Sequence, residues 1–137
     1  AWLESGSYDF SFSGLKSAVL NVLNQARMNG EEIDPAKVAK GFQNSVIDVL
    51  VEKSIRAAKE YDAKQLLLAG GVAANRGLRE ALEQRCRAEG IPLVVPPLEL
   101  CTDNAAMIGA AAYLKWKQQS FSSLDIKAEA LLPLEQW

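Results

Sequence analysis

The feature that most constrains this chain is a strand, a glycine pair and a helix in direct succession over residues 65–82. A short apolar run leads to Gly70 and Gly71, and Asn75 then precedes a helical pattern over residues 76–88. Glycines let the backbone approach a ligand without an intervening Cβ atom. A helix N-terminus favours an anion. The pattern favours a nucleotide-binding turn, although a tight turn with an asparagine cap would use the same residues.

The order of the elements predicts a mixed α/β fold. Strands separated by helices pair in parallel through right-handed crossovers, and ligands bind at the carboxyl ends of such strands. We therefore expect Gly70, Gly71 and Asp103 to lie at one edge of the sheet. Residues 1–117 are predicted to form one lobe and residues 118–137 a polar tail. The predicted order is β-α-α-β-α-β-α, with strands over residues 8–12, 65–69 and 92–95 and helices over 13–29, 34–61, 76–88 and from 103.

Size and charge exclude several classes of protein. The 137 residues are 49% hydrophobic, which is enough for one globular domain with a core. The formal net charge of −2 is not that of a chain that binds nucleic acid on its own basic surface. No apolar run approaches the roughly 18 residues of a membrane span, and no secretory signal is visible. We therefore expect a cytoplasmic protein without a membrane segment.

Three single residue types refine this picture. The two cysteines, Cys86 and Cys101, are not spaced as a motif, and they favour ordinary thiols in a reducing compartment. The chain contains no histidine, so histidine-based metal or acid–base chemistry is not available within these residues. It begins at Ala1 rather than at methionine, from which we expect a fragment or a processed chain.

Asp103, Lys16 and a cluster of charged residues are further candidates, each with an ordinary alternative. Asp103 is either a metal ligand or a helix cap, and a catalytic metal would need about three protein ligands, the others from outside this chain. Lys16 lies one turn into a helix, where it would meet a phosphate or remain solvated. Paired charges on the third helix favour a solvated face over a surface for nucleic acid. This cluster comprises Arg76, Arg79, Glu80, Glu83, Arg85 and Arg87.

Three segments together resemble the TsaD (Gcp) family of tRNA adenosine threonylcarbamoyltransferases, once labelled O-sialoglycoprotein endopeptidases. They are residues 9–16 (Asp-Phe-Ser-Phe-Ser-Gly-Leu-Lys), 69–76 (Ala-Gly-Gly-Val-Ala-Ala-Asn-Arg) and 101–108 (Cys-Thr-Asp-Asn-Ala-Ala-Met-Ile). The resemblance covers nearly the whole chain. It implies a two-lobed actin/Hsp70/sugar-kinase-like (ASKHA) fold, of which this chain would form much of the second lobe.

The resemblance also implies a chemistry. Threonylcarbamoyl-AMP would lie between the lobes and pass its threonylcarbamoyl group to the adenosine next to the anticodon of tRNA. Asn75, Gly70 and Gly71 match the nucleotide-binding positions of the family. Asp103 matches the aspartate that holds a divalent metal, iron or zinc, together with a His-x-x-x-His pair. That pair is absent from this chain, so we expect the fragment alone to be inactive. No general base is identifiable.

The implied partners are tRNA and, in bacteria, a TsaD-like paralogue (TsaB) and a small ATPase (TsaE). Three alternatives to the transferase remain: a sugar or acyl kinase lobe, a metalloprotease, and a non-catalytic ASKHA-like partner or scaffold protein. The motifs lack the phosphotransfer residues and Mg²⁺-binding carboxylates that a kinase would require. They also lack the His-Glu-x-x-His sequence that a metalloprotease would require. A His-x-x-x-His motif in the first lobe would distinguish the enzyme from the scaffold.

Overall fold

A computed structural model describes residues 6–128, and the chain divides after Thr102 into two compact units. The four helices lie close to their predicted positions. The predicted boundary at residue 118 is not tested by this division and stays a prediction.

The first unit contains α1 (Ser13–Asn29), α2 (Pro35–Glu60), β1 (Leu66–Leu67), a 3₁₀ helix (Gly71–Ala74), α3 (Arg76–Glu89), β2 (Leu93–Val94) and a second 3₁₀ helix (Leu98–Leu100). The second unit contains α4 (Ala105–Lys117).

The long helix α2 begins where local chemistry predicts it. The Asp34 carboxylate accepts a hydrogen bond from the Ala36 N–H at 2.9 Å, which satisfies one of the unpaired donors of the first turn. Pro35 occupies the first helical position, where its missing N–H is not needed. The helix then continues for 26 residues. It is therefore long enough to support both α1 and α3.

The core of the first unit is the contact between α2 and α3. Each helix contributes apolar side chains at intervals of four residues, so they lie on one face. Because these side chains are removed from water on both helices, they fix where the start of α3 lies relative to α2. The buried cluster consists of Ile47, Val51 and Ile55 from α2 and Leu78, Leu82 and Cys86 from α3.

The sheet of the first unit is small and parallel. Leu66 pairs with Leu93, and Leu67 pairs with Val94. The strands are shorter than predicted, because within residues 6–128 each has only one neighbouring strand. Their parallel direction confirms the expected pairing. The segments that follow β1 and β2 therefore leave from the same edge of the sheet.

The predicted strand over residues 8–12 is not formed. Among the described residues the order of helices and strands is α-α-β-α-β-α, which does not confirm the order expected for the actin-like lobe. Side chains of α2, rather than a neighbouring strand, bind the backbone of this segment. The buried Lys53 ammonium donates to the Asp9 carbonyl at 2.5 Å, and Arg56 donates to the Ser7 carbonyl at 2.9 Å. A strand requires a ladder partner, and these carbonyls have other donors.

The second unit contains a helix whose side chains are not buried. Asn104 caps α4 by accepting from the Met107 N–H at 2.9 Å. Large apolar side chains on this helix, such as Ile108 and Leu114, are more than half exposed. Over residues 6–128, none of the helices has both the length and the apolar character needed to cross a membrane.

Candidate functional site

The glycine pair forms the turn that the sequence predicts. Gly70 has φ +86°, a conformation that L side chains rarely adopt, so glycine is required there. Its carbonyl accepts from the Ala73 N–H at 2.9 Å and opens the short 3₁₀ helix. A Cβ atom at Gly70 or Gly71 would meet no other atom within 4 Å. The backbone of this loop is therefore open to a ligand.

Asn75 ends the loop and begins α3. Its Oδ1 atom accepts from the Leu78 N–H at 3.0 Å, and its Nδ2 atom donates to Gln43 Oε1 at 3.2 Å. An asparagine amide has two donor hydrogens and two acceptor positions. These two bonds leave one donor hydrogen and one acceptor position. Asn75 is therefore both the predicted helix cap and a fixed amide with remaining capacity for a ligand.

Two residues that sequence analysis missed hold Asn75 in place. A Cβ atom at Gly77 would lie 3.0 Å from Ile47 Cδ1 and 3.1 Å from Gln43 Nε2, so glycine lets α3 approach α2 closely here. This approach brings Gln43 to the amide of Asn75. Glycine costs about 1 kcal/mol relative to alanine within a helix. A glycine inside the helical pattern was therefore a sequence signal for close packing. Gln43 gave no comparable signal.

A large apolar groove reaches Asn75. Its volume is about 1050 Å³, and its walls come from α1, α2 and the start of α3. Three polar side chains interrupt the apolar lining: Lys16, Gln43 and Asn75. The fold therefore brings Lys16, a candidate for phosphate binding, to the groove that contains the predicted nucleotide-binding asparagine. This combination of apolar walls and a few polar groups is typical of small-molecule sites.

Asp103 does not serve as the cap of α4, because Asn104 does so. The Asp103 side chain is exposed, and its carboxylate is not used for the capping bond. Within residues 6–128 no group of three His, Cys, Asp or Glu side chains lies together as a metal site would require. An exposed carboxylate oxygen suits one ligand position of a divalent metal. Asp103 belongs to the second unit, so its predicted place at the same sheet edge as Gly70 and Gly71 stays a prediction.

The charged surface of α3 contains the predicted ion pairs, with one exception. Arg76 pairs with Glu80 at 2.7 Å, and Arg87 pairs with Glu83 at 3.2 Å, both four residues apart. Arg79 instead donates to backbone carbonyls of two loops. The interpretation as a solvated face therefore holds for these two exposed pairs and fails for Arg79.

A second cluster of ion pairs joins α3 to α2. Lys59 donates to Glu89 at 2.7 Å, and Arg85 donates to Glu52 at 3.3 Å. The hydrogen bond from Lys59 lowers the pKa of the Glu89 carboxyl. Exposed pairs of this kind contribute little to stability. The cluster places the carboxylates of Glu52 and Glu89 beside the basic side chains of α2 and α3. A contact of this face with tRNA stays a prediction.

Comparisons with known proteins agree with the three motifs. The sequence model of the TsaD family, described as tRNA N6-adenosine threonylcarbamoyltransferase, matches residues 2–110. Relatives that carry this name in Halalkalibacterium halodurans and Bacillus subtilis are each 61% identical over 135 residues. A relative from Geobacillus thermodenitrificans is also 61% identical.

The extent of these matches is unequal on the two sides. They cover 98% of this chain but only 39% to 40% of the length of the relatives. The chain thus spans about two fifths of the curated proteins that it matches. The family model matches most of the residues of this chain, and the relatives that carry the family's name are 61% identical to it. The chain therefore belongs to the TsaD family.

Proposed function

We propose that the full-length protein transfers a threonylcarbamoyl group from threonylcarbamoyl-AMP to the adenosine next to the anticodon of tRNA. This chain would supply the second-lobe half of the nucleotide site in an actin-like fold. The observation that carries the proposal is Asn75, fixed by Leu78 and Gln43 with part of its amide still available. The names of the relatives support the reaction.

The residues of the first unit have a binding role in this reaction. The open backbone at Gly70 and Gly71 would lie against the adenosine or its ribose. The remaining donor and acceptor of Asn75 would pair with polar edges of the nucleotide. Lys16, on the wall of the same groove, would favour the phosphate of the adenylate. Holding the adenylate so that the tRNA amine meets the activated carbonyl supplies much of the rate in such a transfer.

Asp103 would hold a divalent metal, iron or zinc, together with histidines from the rest of the protein. Its exposed carboxylate suits one ligand position of such an ion. When bound, a metal of this type acts as a Lewis acid toward a carbonyl or phosphoryl oxygen. The fragment alone, with this single proposed ligand and half of the nucleotide site, should give no turnover.

The proposed partners follow from the same family. The formal charge of −2 means that the basic surface for tRNA should lie on the other lobe or on a partner protein. In a bacterium these partners would be a TsaD-like paralogue, TsaB, and a small ATPase, TsaE. A cytoplasmic location is consistent with the free thiols of Cys86 and Cys101.

Replacement of Asn75 in the full-length protein tests the proposal. Asn75→Asp and Asn75→Ser both keep an oxygen that caps α3, but both remove the amide donor. We expect kcat/KM for formation of modified tRNA to fall about tenfold or more, which is the effect of a lost hydrogen bond to a charged or tightly bound group. Mass spectrometry of tRNA nucleosides measures the product, and thermal unfolding confirms that the cap is kept.

The matched control is Asn29→Asp, at the exposed end of α1. It introduces the same charge away from the groove and should leave kcat/KM unchanged. Equal kcat/KM for the wild type and both Asn75 variants would contradict the assigned role. A full-length wild-type protein that produces no modified tRNA with its partners present would favour the non-catalytic scaffold.

A further inference from the structure

One arginine connects the two loops that follow the strands. Arg79 lies one turn into α3, and its guanidinium is bound by acceptors on both sides. Nε donates to the carbonyl of Ala73 in the glycine loop. Nη2 donates to the Pro96 carbonyl and to Cys101 Sγ, each at 3.0 Å, in the segment after β2. The other paired arginines of α3 bind exposed carboxylates.

The bonds of Arg79 need the geometry of a guanidinium. Its planar fork presents several N–H groups at fixed angles, so one side chain can serve acceptors that diverge. A lysine ammonium is a point donor on a flexible stem and cannot hold the same set at fixed angles. Ala73 and Cys101 are both buried, so their acceptors would not readily be satisfied by water.

The two segments that Arg79 joins have separate parts in the proposed site. The glycine loop carries Gly70 and Asn75, which we assign to the nucleotide. The segment after β2 reaches Cys101, two residues before Asp103 in the sequence. Its own turn is closed by hydrogen bonds from the Leu100 N–H to the Pro97 carbonyl and from the Cys101 thiol to the same oxygen. Within each loop the bonds are local, whereas the bonds of Arg79 span both.

We propose that Arg79 is a positioning residue that sets the distance between the nucleotide-binding loop and the segment that leads to the metal ligand. It acts through the backbone at Ala73 and Pro96 and does not touch the substrate. The inference rests on the proposed transferase function for its catalytic consequence. The structural part, that one guanidinium restrains both loops, is independent of that function.

The experiment compares three variants of the full-length protein. Arg79→Gln removes the charged fork, Arg79→Lys keeps the charge without it, and Arg87→Gln removes an exposed arginine from the same helix. Hydrogen exchange measures the amides of residues 70–75 and 98–102, and steady-state kinetics measures KM for threonylcarbamoyl-AMP. We expect Arg79→Gln to exchange at least about tenfold faster in both loops and to raise KM about tenfold, as loss of charge-assisted hydrogen bonds implies. For Arg79→Lys, the exchange rates and KM should lie between those of Arg79→Gln and the wild type. For Arg87→Gln, both should equal those of the wild type.

Several outcomes would overturn the proposal. Faster exchange in only one loop would show that Arg79 does not join them, and faster exchange throughout α2 and α3 would show a general structural role. A raised KM with unchanged exchange would mean a direct contact with the substrate. Arg79→Lys equal to the wild type would show that the fork is unnecessary. If the wild type itself transfers nothing, the proposed function fails, while the exchange data still decide whether Arg79 restrains both loops.

Discussion

The passage from β1 into α3 and the passage from β2 into α4 use the same local chemistry. Each strand is followed by a short 3₁₀ helix and then by an asparagine that caps the next helix. Asn75 accepts from the Leu78 N–H at 3.0 Å, and Asn104 accepts from the Met107 N–H at 2.9 Å. In both, the side-chain oxygen satisfies a donor that the first turn leaves unpaired.

The two helices differ in what they bury. Helix α3 buries Leu78, Leu82 and Cys86 against α2, whereas α4 buries none of its described side chains. The comparison shows that a helix start is determined by a few neighbouring residues, while packing depends on a partner surface. For α3 that partner is α2, which is part of this chain.

The largest expected difference between α3 and α4 is the loss of unfolding free energy when a leucine on each helix is shortened. Leu82→Ala, at a side chain only 5% exposed, should lower the free energy of unfolding by about 3 kcal/mol because it leaves a cavity between α2 and α3. Leu114→Ala on α4, at a side chain 60% exposed, should change it by less than about 0.5 kcal/mol. Chemical denaturation of the 137-residue chain measures both. Equal losses would mean that α4 depends on packing as much as α3 does.

Replacement of a glycine by alanine should lower stability when it is made in α3 and raise it when it is made in α4. Gly77→Ala places a Cβ atom 3.0 Å from Ile47 Cδ1, and the resulting overpacking should outweigh the gain in helix propensity by about 1 kcal/mol. Gly109→Ala on α4 meets nothing within 4 Å, so it should stabilise that helix by about 1 kcal/mol. Thermal unfolding followed by circular dichroism compares them. Stabilisation by Gly77→Ala would show that α2 and α3 are not closely packed there.

Loss of either helix cap should lower stability by similar amounts, unlike the leucine and glycine replacements. Asn75→Ala and Asn104→Ala each remove one capping bond, at a cost of about 1 kcal/mol in helix stability. Asn75→Ala also removes the bond to Gln43, which adds to its cost. The same denaturation measurement tests both variants, with Asn29→Ala at the end of α1 as the control. A much smaller loss at Asn104 would contradict the view that capping is independent of packing.

Helix positions could be predicted from the sequence because their signals are local. Asp34 and Pro35 start α2, and Gly90, with φ +69°, ends α3. The strand over residues 8–12 was wrongly predicted because alternation indicates only that a segment suits a sheet. Whether it joins a sheet depends on a neighbouring strand, and in the described part of the chain Lys53 and Arg56 bind its backbone instead.

The candidate site divides in the same way. Gly70 and Asn75 were predictable, because a strand, a glycine turn and a cap follow one another directly in the chain. Gln43 was not, since it lies 32 residues before Asn75 and meets it only because Gly77 admits close packing. Arg79 was grouped with its charged neighbours because sequence spacing does not show which carbonyls a side chain reaches. The sequence thus predicted the glycine turn and the asparagine cap better than the residues that hold them in place.

The smallest expected effect is the pH dependence of the stability that Cys86 contributes to the core. Burial raises the pKa of the Cys86 thiol above its ordinary value of 9.0. Above pH 9 the unfolded chain therefore loses this proton while the folded chain keeps it, so the stability that the thiol contributes below pH 9 decreases as pH rises. In reducing buffer, the difference in unfolding free energy between the wild type and Cys86→Ala should narrow from pH 8 to pH 10. The same difference for Leu82→Ala, on the same face of α3, should stay constant, and a constant gap for Cys86→Ala would place its thiol in contact with water.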